Sequence, residues 1–257
     1  KASDHIQHVD KIISDTKRAL RYPSFLFAVV LGAVIFWFWY VVPKIVSLFQ
    51  DMDMTLPLIT RVLIIISDFL QAYLHWGLLA LAFLTILIYL LRKFIYRVRY
   101  TIDYLLLKAP IISDILNTSY IARISENIGV LVGAGITVLR SLDIIISSLG
   151  NTVYKERMQK VRSHVQTGNT ISWSMRQAQA MHPFAIRMIA VGEESGRLNE
   201  QTEYVAGIYR EKLDNMVEAL SKTLEPVLLI TLGIFFALII AGLLLPVYDL
   251  ISQVGMQ

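Results

Sequence analysis

The chain has 257 residues, with 24 Lys and Arg against 20 Asp and Glu, for a formal charge of +4. Hydrophobic residues make up 55% and charged residues 17%, where soluble globular chains carry about 25% charged; this excludes a disordered chain and disfavours an ordinary soluble domain. With no cysteine, it has no disulfide, thiolate metal site or cysteine nucleophile.

In chain order, residues 1–21 read as a charged helical segment. Segment 22–42 is predicted as the first transmembrane helix, because Ser24 to Val42 is 19 residues without a charge and about 20 apolar residues cross a bilayer. It is opened by Tyr22-Pro23 and closed by Pro43, and proline is tolerated in a helix's first turn. The loop 43–72 should be mostly another helix. From Leu58 to His75 it has neither Gly nor Pro, and Leu58, Val62, Ile65, Ile66, Phe69 and Tyr73 line one side. The second span, 73–91, stops at Arg92-Lys93, and one helix over 58–91 would be about 51 Å long. Segment 92–226 holds 17 Lys and Arg and 13 Asp and Glu, a soluble composition. Gly and Pro punctuate it, and Val138, Leu139, Leu142, Ile145, Ile146 and Leu149 recur with helical spacing. The third span, 227–245, is uncharged between Pro226 and Pro246, and the tail 246–257 follows.

Lys and Arg next to the spans set the orientation. Lys17, Arg18 and Arg21 precede the first span, and Arg92, Lys93, Arg97 and Arg99 follow the second. Loop 43–72 has only Lys44 and Arg61, and the tail has no basic residue. The N-terminus and 92–226 are therefore expected in the cytoplasm, with loop 43–72 and the tail outside. Trp37, Trp39, Tyr40 and Trp76 then form an aromatic belt at one interface. The fold class that follows is an all-α membrane protein: three transmembrane helices with a cytoplasmic helical bundle domain. Sidedness accounts for the basic excess, so no nucleic-acid partner is expected.

A repeat links the first and third spans. Pro23 to Pro43 and Pro226 to Pro246 are both 20 residues apart, at an offset of 203. The repeat implies a domain like 92–226 ahead of the first span, of which 1–21 would be the last helix.

Several motifs now stand together: Gly133-Ala-Gly-Ile-Thr-Val-Leu, Gly168-Asn-Thr-Ile-Ser, Met188-Ile-Ala-Val-Gly-Glu-Glu-Ser-Gly-Arg-Leu198, Leu224-Glu-Pro226 and Leu245-Pro246, with Ala19-Leu-Arg-Tyr-Pro23, Val42-Pro43 and Leu56-Pro57 around the first span. They resemble the inner-membrane platform protein family of type II secretion and type IV pilus systems (GspF/PilC family), the segment 188–198 most specifically. The resemblance implies a multi-pass protein of the bacterial inner membrane. It would be a non-catalytic platform coupling a cytoplasmic assembly ATPase to pilin or pseudopilin subunits. Its other partners would be further inner-membrane assembly proteins, membrane lipid and a second copy of itself, most simply as a dimer. Family members usually carry two similar cytoplasmic domains, and residues 1–21 are expected to be the last helix of the first. The alternative class is a subunit of an oligomeric transporter or channel, against which the absence of charges within the spans argues.

No GxxxxGK[ST] run is present for a phosphate loop, and Gly129, Gly133 and Gly135 lack dinucleotide spacing and follow no strand. The five histidines form no HExxH, and no triad motif surrounds His164 or His182. His5 and His8 beside Asp4 read as an exposed helix face, His75 as an interfacial ring beside Trp76, and Asp68 as lying outside the membrane. Catalytic residues, metal ligands and cofactors are therefore expected to be none. The sharpest polar feature is Glu193-Glu194 with Arg197. One reading is support: Ser195 as a helix N-cap, Gly196 allowing the bend, and Glu193, next to the motif residue Gly192 at the helix end, paired with Arg187 or Arg197. The other is a contact surface for a cytoplasmic partner. Gly233, Ala237 and Ala241 repeat every four residues in the third span, a spacing that lets helices approach closely.

Overall fold

A computed structural model describes residues 25–50 and 58–254. The segment 1–21, Pro23, His5 and His8 lie outside them. All regular structure among the described residues is helical. Helix α1 covers 25–50, followed by α2 (Leu58–Phe94), α3 (Tyr96–Leu106), α4 (Ile112–Gly133), α5 (Val138–Ser148), α6 (Thr152–Gln166), α7 (Ile171–Gln177), α8 (Pro183–Ser195) and α9 (Leu198–Val254). Contacts divide the described residues into two units, 89–219 on the one hand, and 25–50, 58–88 and 220–254 on the other.

The unit spanning 89–219 is a helical bundle. Its core joins Ile121, Ile124 and Ile128 of α4, Leu142 and Ile145 of α5, Tyr154, Met158 and Val161 of α6, Met175 of α7, Ile186 and Ile189 of α8, and Val205 and Tyr209 of α9. Each such side chain contributes about 1.5–3 kcal/mol on burial. Local signals end each helix. Asn151 caps α6 by accepting from Val153 N and Tyr154 N at 3.0 and 3.1 Å. Gly168 then closes α6 at φ 93°, a left-handed backbone that glycine adopts without strain. Helix α7 closes the same way on Gln179, a side-chain-bearing residue at φ 48°. Between α4 and α5 the left-handed residue is Gly135, not Gly133, which is the last residue of α4.

The other unit gathers α1, most of α2 and the end of α9. Three helical stretches, Phe25–Lys44, Thr60–Phe94 and Leu198–Gly242, are long and apolar enough to cross a membrane. Helix α2 continues without a break from the loop into the second apolar run, as the sequence suggests. The stripe Val62, Ile65, Ile66, Phe69 and Tyr73 faces away from this unit's interior, which meets Thr60, Leu63 and Ser67 instead.

Pro43 does not close the first apolar helix. The backbone turns π-helical over Trp37–Val41 and continues as Val42–Gln50. Val42 N–H donates to Trp37 O, five residues back. The next bond in that register would join residue 43 to Phe38 O, and proline has no N–H. Ser67 Oγ donates to Phe38 O at 2.7 Å instead, so a buried serine on α2 satisfies the carbonyl that the proline leaves open. Helix α9 likewise passes through Pro226 and Pro246. Two missing bonds in a 57-residue helix do not end it, because an apolar surrounding offers the backbone no better partner than its own ladder.

The small-residue stripe of the third span is also placed differently. Gly233 and Ala237 are exposed, and a Cβ at Gly233 would meet nothing within 4 Å. The close approach is made by Gly242, where a Cβ would run into Leu63 Cδ1.

Candidate functional site: the turn between the eighth and ninth helices

The turn from Gly192 to Leu198 is built from backbone first. Helix α8 starts on Pro183 with His182 as its cap, the imidazole Nδ1 accepting from Phe184 N at 3.4 Å. It ends on Gly196 at φ 69°, and Arg197 N donates back to Gly192 O at 2.9 Å. A Cβ on Gly192 would lie 3.0 Å from Leu198 Cα and from Gln201 Cβ. The first turn of α9 therefore rests directly on the backbone of α8, at a spacing that leaves a side chain at 192 no room.

Glu193 reaches across to α7. Its carboxylate accepts from Ile171 N and, at 2.9 Å, from Ser172 N, while Thr170 Oγ1 accepts from Trp173 N at 3.3 Å. The first three N–H groups of α7, which no helical carbonyl can satisfy, all have acceptors. A carboxylate is also the favoured charge at a helix N-terminus. Two expectations are corrected here. Glu193 pairs with neither Arg187 nor Arg197, because two aligned backbone donors bind it first. Ser195 is not an N-cap; it is the last residue of α8, and its Oγ donates to Val191 O at 2.7 Å.

The remaining polar residues of the turn face outward. Glu194 is exposed, and Arg197 is a solvent-facing neighbour of Glu200 at 3.8 Å. Val191 is also exposed, so the outer surface of the turn combines an acid, a base and an apolar side chain.

Sequence reasoning missed two buried carboxylates. Asp103 on α3 is 1% exposed and accepts from Arg92 Nη2 at 2.6 Å, Thr152 N at 2.8 Å and Thr152 Oγ1 at 2.7 Å. It thus ties Arg92 to the N-terminus of α6. Glu126 on α4 is buried and pairs with Arg210 of α9. Each had a signal: Asp103 is the one acid in the basic stretch 92–108, and Glu126 stands alone in the long apolar face of α4. Gly129 lies inside α4, where a Cβ would sit 2.9 Å from Thr202 Oγ1 and Glu203 Cγ. Among the described residues, no group of three or more His, Asp or Glu side chains converges as a metal site would.

The family model described as type II secretion system (T2SS), protein F, matches residues 124–246, a span that contains this turn, Glu126 and α9 through Gly242. A type IV pilus assembly protein PilC of Pseudomonas aeruginosa is 30% identical over 249 residues, covering 97% of this chain and 67% of that protein. The chain belongs to this family. PilC of Thermus thermophilus is 29% identical over 249 residues, covering 94% of this chain and 59% of the relative. The type II secretion system protein F of Pseudomonas aeruginosa is 31% identical over 243 residues, covering 92% and 58%. The chain thus spans about three-fifths to two-thirds of the length of these platform-family relatives, whose names describe components of pilus assembly and of secretion.

Proposed function

We propose that the protein is a non-catalytic assembly platform of the bacterial inner membrane, coupling a cytoplasmic assembly ATPase to the insertion of pilin or pseudopilin subunits into a filament. Family membership supports the class of function. The observation that carries the mechanism is the division of labour in the α8–α9 turn: Glu193 is consumed in holding α7, while Glu194 and Arg197 are left at the surface. In this reading the rigid turn presents Glu194 and Arg197 to the ATPase. The apolar helices meet the pilin subunits, lipid and a second platform copy, with exposed Gly233 and Ala237 on a surface open to such packing. The motion is mechanical, and no bond is made or broken on the platform.

The membrane arrangement belongs to the same proposal. The spans are 22–42, 73–91 and 227–245. The bundle 92–226 faces the cytoplasm, and 43–72 and 246–257 face outward, a sidedness that the basic residues Arg92, Lys93, Arg97 and Arg99 support. Cysteine introduced near Asp51 should react with a membrane-impermeant reagent from outside, and one near Asn151 should not; the opposite pattern would overturn the sidedness. The platform reading itself is tested by purifying the protein with its assembly ATPase. A stable complex is expected, weakened by Glu194→Ala and Arg197→Ala and by salt, with no ATP turnover by the platform alone. Turnover by the isolated chain, or a complex indifferent to both substitutions, would overturn it.

A further inference from the structure

On one side of the bundle, α4, α6, the α7–α8 loop and α9 line an open cavity of about 350 Å³. Its walls hold two cations, Arg157 of α6 and Lys212 of α9, and one acid, Asp114 of α4. Arg157 lies 5.3 Å from the ring centre of buried Tyr154, and Lys212 lies 6.0 Å from that of Tyr209. None of the three charges forms an ion pair with a described residue, although the same bundle pairs Arg92, Arg162, Arg197 and Arg210 with carboxylates. Two amides also line it. Asn117 Oδ1 accepts from Tyr154 Oη at 2.8 Å, which fixes that amide and leaves its NH2 to donate. Gln179 stands on the left-handed backbone at the end of α7.

A preformed concavity with a few convergent polar groups is the form of a small-molecule site, and this volume is near the low end of the usual range of about 300–1,000 Å³. Two unpaired cations match a dianion better than a single carboxylate, and a phosphate monoester carries about −1.5 to −2 at neutral pH. Guanidinium and ammonium groups both bind phosphate oxygens through charge-assisted hydrogen bonds. Asp114 repels a polyanion but accepts from hydroxyl groups, as an acid in a selective site should. We propose that the cavity binds a small organic phosphate of sugar-phosphate size. Its phosphate is held by Arg157 and Lys212, and its hydroxyl groups by Asp114, Asn117 and Gln179.

The test is calorimetric titration of the full chain, purified in detergent, with ribose 5-phosphate, inorganic phosphate and ribose. Saturable binding of ribose 5-phosphate is expected, with none of ribose. Arg157→Gln and Lys212→Gln should each weaken it about tenfold or more. Lys212 is exposed, so its substitution leaves the fold intact, and an unchanged melting temperature verifies this. Asp114→Asn should narrow the preference for ribose 5-phosphate over inorganic phosphate, because it removes both the carboxylate that accepts from hydroxyl groups and the repulsion of the anion. Absence of saturable sugar-phosphate binding to the wild type, or binding that survives Lys212→Gln, would overturn the proposal. Inorganic phosphate binding as tightly as ribose 5-phosphate would overturn the hydroxyl recognition. The ATPase takes no part in the readout, so this result and that for the platform reading are independent.

Discussion

The bundle and the apolar unit solve the same polar problem in opposite surroundings. In the bundle, carboxylates reach between helices to cap free N–H groups: Asp103 on α6 and Glu193 on α7. In the apolar unit hydroxyls serve the backbone at several described positions. Ser67 donates to Phe38 O, and Thr85 and Thr231 return to carbonyls of their own helices. The outer surfaces differ in the same sense. Leu79, Phe83, Leu229 and Ile230 are all more than half exposed, which suits lipid and not water. In the bundle a carboxylate is held by several donors at once, Asp103 by Arg92 and both donors of Thr152; in an apolar surrounding a neutral hydroxyl satisfies a carbonyl without the cost of desolvating an ion.

The largest test of this contrast is truncation. Met158→Ala, at a side chain with 0% exposure, should destabilise by about 2–5 kcal/mol in thermal or denaturant melting of the bundle. Leu229→Ala, at 64% exposure, should change stability by less than about 0.5 kcal/mol. Equal effects would break the contrast.

Next come the carboxylates. Glu193→Ala removes the acceptor of two N–H groups and should cost about 1.5–3 kcal/mol, lowering the melting temperature by several degrees. Glu194→Ala should leave it unchanged. On the apolar side, Ser67→Ala should cost about 1–3 kcal/mol by leaving Phe38 O without a donor. That penalty should shrink when Pro43→Ala restores an N–H to the helix, so a double-mutant cycle reads the link directly.

The smallest expected effect is on pH dependence. Burial pushes the Tyr154 phenol up to about 12, from 10.0 in the unfolded chain. The folded state therefore keeps its proton over that interval while the unfolded state loses it. Stability from this group is intact below pH 10 and falls as pH rises toward 12. Melting followed from pH 9 upward should show the decline, and Tyr154→Phe should flatten it.

Much of this architecture is legible in the sequence. The three apolar runs, the helical spacing of 138–149 and the glycine punctuation all correspond to helices and turns, because each depends on neighbours within one or two turns of chain. The failures share a cause. Pro43 reads as a terminus because the compensating hydroxyl, Ser67, lies on another helix. Glu193 reads as an ion-pair partner because its actual partners are backbone N–H groups, which leave no mark in residue identity. Gly233 and Ala237 present the small-residue spacing, yet the contact belongs to Gly242, since spacing alone does not reveal which face meets a neighbour.

Gln179 has a consequence for the history of the fold. A side-chain-bearing residue in left-handed backbone costs about 1–2 kcal/mol that glycine avoids, and Gly135, Gly168 and Gly196 show that the chain uses glycine at three other helix ends of this bundle. Selection acting on stability alone would have ended α7 on glycine. Keeping glutamine at φ 48° leaves the protein less stable than one codon change would make it, with an amide retained at the cavity rim.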